Sequence, residues 1–103
     1  MKNNIIKING KESYEVLKVV ERLMNEEITW TRFDYKQAWF SNRLYVLDGT
    51  YRLLKSYSTI VAVVDITNNK FYELGKWSAT TSKQVTQYHD TYYSECQRYL
   101  LVE

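Results

Sequence analysis

The chain has 103 residues, 45% of them hydrophobic and 16% aromatic, enough apolar surface for one core of modest size and hence for one domain over residues 1–103. Fourteen Lys and Arg against twelve Asp and Glu leave a net charge of +2, too small for a protein-wide field that compels binding to nucleic acid or an anionic membrane, and of the wrong sign for a polyanionic DNA mimic. The lone Cys96 excludes an internal disulfide and a Cys-rich zinc site, and no apolar run approaches the roughly 20 residues that span a bilayer, so a soluble protein in a reducing, cytoplasmic setting is expected.

The opening MKNNIIKING has too short an apolar group for a signal-peptide core. Residues 4–8, NIIKI, are β-rich and closed by Asn9-Gly10, both tolerant of left-handed backbone, which predicts a first strand at a sheet edge. Ser13 then offers an N-cap to YEVLKVVERLMNEE. Val16, Leu17, Val20, Leu23 and Met24 recur there at helical spacing while Glu15, Lys18, Glu21, Arg22 and Asn25 take the other face, so a helix is expected over 13–26. From Ile28 to Trp39 the residues Ile28, Trp30, Phe33, Tyr35 and Trp39 are spaced mostly by two, with a slip after Thr31 that reads as a bulge in one strand. Arg43–Leu47 and Thr50–Leu54 flank Asp48-Gly49, which predicts a tight type I′ hairpin.

Thr59–Thr67, TIVAVVDIT, is nearly all apolar and β-branched, as suits a central strand covered on both faces. Asn68-Asn69 turns it back into Lys70–Leu74. After Gly75 and Trp77, any of Ser78, Thr80, Thr81 or Ser82 can cap a last helix running to about residue 100, with Val85, Tyr88, His89, Tyr92, Cys96 and Tyr99 as its inward stripe. The expected architecture is α+β: an antiparallel meander of about 4–6 strands with an N-terminal and a C-terminal helix packed on one face. At this size a homodimer or a permanent partner would supplement the core.

No residue set specifies a catalytic reaction. Asp90 adjoins His89 in sequence but points elsewhere on the predicted helix, and Cys96 would stand roughly 10 Å from His89 by helix rise, too far for activation. Asp34, Asp48, Asp65, Glu73 and Asp90 are dispersed without metal-ligand spacing, and there is no GxxxxGK[ST] or GxGxxG, so no catalytic residue, metal or cofactor is assigned. The segment Lys76 to Lys83 allows two readings: an anion site at Thr80, Thr81, Ser82 and Lys83, where a helix start meets hydroxyls and a lysine, or a redundantly capped helix. The strand aromatics Trp30, Tyr35, Trp39, Tyr45, Tyr51, Tyr57, Tyr72 and Trp77 allow three: core, a platform for unpaired bases, or a protein-binding patch.

SYSTIVAV at Ser56–Val63 and WSATTSKQV at Trp77–Val85 resemble a motif pair, S-Y-x-T-x-V-A followed by an aromatic, Ser, x and T-T-S-K, of small uncharacterised phage and mobile-element proteins from low-GC bacteria. Gln84 stands where many of those carry His. The resemblance implies a stand-alone protein acting by stoichiometric binding, comparable to anti-CRISPR inhibitors that block a host CRISPR effector nuclease in the bacterial cytoplasm. The expected contact residues are Trp39, Arg43, Tyr45, Arg52, Lys55, Tyr57 and Lys76. The alternative is a small nucleic-acid binder or transcription regulator that uses the Thr80–Lys83 helix start for phosphate.

Overall fold

The computed structural model describes residues 4–32, 38–46 and 49–102. Its centre is the segment recognised as two-sided: strand β6 (Thr59–Asp65), in which Val61, Ala62, Val63, Val64 and Asp65 are all buried. Such a strand needs cover on both faces, and each face has its own hydrophobic cluster and its own helix. Against one face lies α1 (Gly10–Met24), whose Val16 and Leu23 join Leu53, Val63 and Leu101. Against the other lies α2 (Ala79–Tyr92), whose Val85 and Tyr88 join Leu54, Val64 and Phe71. The helices therefore sit on opposite faces of the sheet, not together on one. Each fully buried Val, Leu or Phe contributes about 1.5–3 kcal/mol, so both clusters are needed to offset the entropy of ordering the chain.

Among the described residues the sheet has eight strands, β1 (Ile5–Ile8), β2 (Trp30–Arg32), β3 (Ala38–Ser41), β4 (Leu44–Val46), β5 (Gly49–Ser56), β6, β7 (Lys70–Glu73) and β8 (Gln97–Leu101), in the order β1-β8-β7-β6-β5-β3-β2 with β4 on the first half of β5. The sheet is mixed, because β8 runs parallel to both β1 and β7, and it is larger than a 4–6-strand meander.

The largest departure from expectation is β8. The last helix stops at Tyr92, the chain reverses through residues 93–96, and Gln97–Leu101 enters between β1 and β7. Cys96 and Tyr99 thus lie outside the helix. Arg98 and Leu100 pair with Phe71 and Glu73 on the α2 side, while Tyr99 stacks on Tyr72 with ring centroids 5.1 Å apart on the α1 side. Neither Gly nor Pro marks the stop, and pairing with a strand about ninety residues earlier carries no local signal.

Three smaller corrections follow the same logic. α1 starts at Gly10 with Asn9 as the N-cap residue, and Ser13 sits inside the first turns, buried, its hydroxyl donating to the Ile8 carbonyl at 3.0 Å. Leu17 and Met24 face solvent, because the helix meets the sheet along Val16, Val19, Val20 and Leu23. Trp30–Arg32 and Ala38–Ser41 are two antiparallel strands rather than one bulged strand; Phe33 and Tyr35 lie outside the described residues.

The hairpin β4–β5 forms one residue earlier than Asp48-Gly49 suggests, since Gly49 already pairs with Val46; Asp48 is outside the described residues. Gly49 is required for a different reason than a turn. Its φ is +150°, and a Cβ there would meet the Thr67 hydroxyl oxygen at 2.5 Å, the same oxygen that accepts from the Thr50 N–H at 3.1 Å. The turn from β6 to β7 keeps its expected asparagines: Asn69 has φ +55°, and Asp65 accepts from the backbone and the side chain of Asn68 at 3.2 and 2.9 Å.

Candidate binding site

Alternation along β5 sends Arg52 to the α2 side and Lys55 to the α1 side, and this parity divides the expected contact surface in two. On the α2 side, beyond the C-terminal half of α2, Arg52 lies with its guanidinium 5.5 Å from the Phe40 ring centroid. Arg43 donates from Nη1 to the Tyr45 hydroxyl at 2.8 Å and covers that ring at 5.7 Å. Around these arginines stand Tyr88, Tyr92 and Tyr93: Phe40 is 6.1 Å from Tyr88 and 6.4 Å from Tyr92, and Tyr88 is 5.7 Å from Tyr92 and 5.6 Å from Tyr93. Tyr45 is 61% and Tyr92 47% exposed, so the cluster surfaces as a patch of aromatic edges and guanidinium groups.

The electrostatics of this patch are set by burial. The Tyr88 phenol is pushed far above its ordinary value by loss of water and by Tyr93, against a smaller opposing pull from Arg52. Tyr93 is also raised by burial, again opposed by Arg52. Arg43, on the surface, is raised by its hydrogen bond to Tyr45. The Tyr88 phenol is itself buried, so the groups this patch shows to solvent are the Arg43 guanidinium and the rings of Tyr45 and Tyr92. The Nε of Arg52, shielded from water, has no hydrogen-bond partner among the described residues.

On the α1 side the rows of β2, β3 and β5 bring Arg32, Trp39 and Lys55 into direct cross-strand register. The Arg32 guanidinium lies 5.3 Å from the Trp39 ring, and the Lys55 ammonium is 4.2 Å from the ring of Trp30, which itself packs on the edge of the α1-side core. Contacts of this kind contribute about 0.5–1 kcal/mol each where exposed. Trp39 and Lys55 are therefore together, but across the sheet from Arg43, Tyr45 and Arg52.

The remaining expected contacts stand apart. Tyr57 occupies the β5–β6 turn with φ +56° and is 59% exposed; Lys76 is exposed in the segment before α2. At the helix start Ser78 caps by accepting from the Thr81 N–H at 3.3 Å, Ser82 Oγ donates to the Trp77 carbonyl at 3.4 Å, and Thr81 Oγ1 lies 3.4 Å from Ser56 Oγ. Those hydroxyls are engaged within the fold, leaving Thr80 and Lys83 at the surface. The Ser56 hydroxyl also donates to Gln84 Oε1 at 2.7 Å, so the two motif segments, distant in sequence, meet in one buried polar contact.

His89 has the partner that helical geometry did not promise. Its Nδ1 is 2.8 Å from Asp90 Oδ1 and its Nε2 is 2.9 Å from the Cys96 carbonyl oxygen, because the chain turns back after Tyr92. A carbonyl only accepts, so Nε2 carries a proton and is committed to the main chain. The ring is 1% exposed and meets Phe71 edge-on at 5.1 Å, which leaves it no reach toward a substrate. Among the described residues no three His, Cys, Asp or Glu side chains are grouped to hold a metal, and no helix is long and apolar enough to cross a membrane.

The residues missed by sequence reasoning are Arg32, Phe40 and Tyr93. Tyr88 and Tyr92 were legible only as an inward stripe; the arginines that convert them into a surface come from the residue just before β4 and from β5, brought beside α2 by the pairing of the sheet.

These features define a mixed-sheet α+β domain with one helix on each face and Arg-aromatic surfaces beyond the helices. The chain belongs to a family of unknown function, DUF8033, whose model matches residues 3–100. No curated protein and no solved structure matches it.

Proposed function

We propose that this is a non-enzymatic protein acting by stoichiometric binding: a small phage or mobile-element product that docks on a host defence complex in the bacterial cytoplasm, a CRISPR effector nuclease being the partner its motif resemblance favours, and inhibits by occlusion. The observation that carries the binding part of this reading is the convergence of Arg43, Tyr45, Arg52 and Tyr92 on one surface, held by Phe40, Tyr88 and Tyr93. Arg and Tyr are the residue types most enriched at interface hot spots, and here their side-chain freedom is already spent on neighbouring rings, so docking costs less ordering entropy.

The test is capture of partners by the tagged protein from a bacterial lysate, with and without nuclease, followed by the same capture with Arg43→Ala and Tyr92→Ala together. A near-stoichiometric protein that survives nuclease and is lost with the double variant supports the reading. Capture of nucleic acid alone, removed by nuclease, overturns it.

That second outcome has its own observation. The row Arg32, Trp39 and Lys55 with Trp30 combines cations and stacking rings on a sheet face, as in single-strand binders. A nucleic-acid binder using this row would lose affinity steeply with salt, and Trp39→Ala would reduce it, whereas an aromatic protein interface changes less with salt.

A further inference from the structure

Between α1 and the sheet is a cleft of about 210 Å³ on the opposite side of the sheet from the Arg43–Arg52 patch. Its floor is apolar at Ile8, Val16 and Val63, and is continued by the rings of Tyr51 and Tyr72. Glu12 and Glu15 stand on the helix side, at the same spacing that turns Val16 and Val19 toward the sheet. Asp65, only 7% exposed, stands on the sheet side.

The charge in the cleft is unbalanced. Three carboxylates face one ammonium, that of Lys70, which is opposite Asp65 in register yet lies over the Tyr99 ring at 5.9 Å and makes no ion pair among the described residues. Glu12 and Glu15 likewise have no ion-pair or hydrogen-bond partner among the described residues. The Tyr72 phenol registers the local field: it is pushed up to about 12, by burial first and then by Asp65, Tyr99, Tyr51 and Glu12. It stays a neutral donor and ring face throughout the physiological range.

An apolar bottom, two tyrosine rings, the Glu12 and Glu15 carboxylates on the helix side and the Asp65 carboxylate on the sheet side, which accepts from Asn68 but has no ion-pair partner among the described residues, form a setting that complements an organic cation with a short hydrophobic body. The cavity as a whole makes this argument; exposed glutamates on a helix would not make it alone. The volume lies below the ~300–1,000 Å³ of drug-sized pockets, which limits the ligand to a small one. We propose that this cleft is a binding site for a small primary amine, its ammonium held between Glu12, Glu15 and Asp65 and its apolar or aromatic part against Val16, Val63 and Tyr72. The site is independent of the surface assigned to partner binding, and either can fail without the other.

The experiment is an amide-resolved NMR titration of the full chain with phenethylammonium and n-butylammonium, with phenethyl alcohol and hydrocinnamate as neutral and anionic counterparts, repeated on Glu12→Gln/Glu15→Gln. Both glutamates are exposed, so this variant should keep the wild-type spectrum elsewhere. The expected result is saturable shifts confined to residues 8–19, 51, 63–65 and 70–72 with the amines only, and about tenfold weaker binding in the double variant. Equal binding of the alcohol, shifts centred elsewhere, or no saturation by either amine at millimolar concentration overturns the proposal. A lysine-containing peptide that saturates the cleft when neither amine does also overturns it, by making the cleft a reader of protein side chains.

Discussion

The imidazole Nε2 of His89 donates to the Cys96 carbonyl across 2.9 Å, and this contact ties the last full turn of α2 to the residue at which the chain enters β8. The pair stand seven positions apart in the chain, and the reversal between them places β8 in the sheet. Replacing His89 by Ala removes a buried ring, its edge contact with Phe71 and the side-chain donor to that carbonyl. The expected cost is about 2–4 kcal/mol in denaturant unfolding, whereas Asp90→Ala, whose side chain is 59% exposed, should cost less than about 1 kcal/mol.

Arg98 on β8 and Glu73 on β7 form a buried pair, with Nη2 and Nε of the arginine 2.6 and 2.9 Å from one carboxylate oxygen and Nη2 also 3.2 Å from the Thr86 hydroxyl. Arg98→Ala leaves the Glu73 carboxylate without its cation and should cost about 3–5 kcal/mol. The double change Arg98→Met/Glu73→Leu removes both charges and should recover most of that loss; if it is as unstable as the single variant, the pair is not the reason for the cost.

Gly49→Ala brings a Cβ against Thr67 at a backbone angle that L-residues rarely adopt, and is expected to destabilise by about 1–3 kcal/mol. Thr67→Ala in the same chain removes the atom at 2.5 Å but leaves the angle, so the double variant should be less unstable than the two single changes summed. A double-mutant cycle with no coupling would show that the close approach does not matter.

Alkaline pH should unfold the protein through its tyrosines. Tyr72 is held at about 12 against an ordinary value of 10.0, and Tyr88 and Tyr93 are raised in the same direction by burial. A phenol that keeps its proton more tightly folded than unfolded contributes its full stability below pH 10 and loses it as pH rises toward the folded value, because the unfolded chain ionises first. The expected outcome is a melting temperature that falls above pH 10, with part of the phenolate absorbance appearing only on unfolding. A melting temperature flat to pH 11.5 would contradict this.

How legible the fold was depends on how local each determinant is. Val61–Val64 announce a strand covered twice, and that reading carries over unchanged, because burial on both faces is written in consecutive residues. Asn68-Asn69 marks its turn because left-handed backbone is a property of the residue itself. Gln97–Leu101 has no such mark: five residues at the end of a helical pattern become a strand only because β1 and β7 present free edges on either side. The same holds for the candidate surface. The residue types Arg, Tyr, Trp and Lys were visible, but whether Arg52 and Lys55 share a face is decided by the parity of β5, and their separation of three puts them on opposite sides.

An α+β chain with a two-sided central strand, two helices, no internal disulfide and a store of aromatic and basic residues near its strands could be read from residues alone, since these follow from composition, periodicity and residue-specific backbone preference. It took long-range pairing to put the helices on opposite faces, to join β1 to the sheet through the parallel strand β8, to spend His89 on the Cys96 carbonyl, and to set the Arg43–Arg52 patch across the sheet from the cleft lined by Glu12, Glu15 and Asp65. Those facts depend on which distant strands pair and in what register, and the free energy that selects a pairing is spread over many residues far apart in the chain.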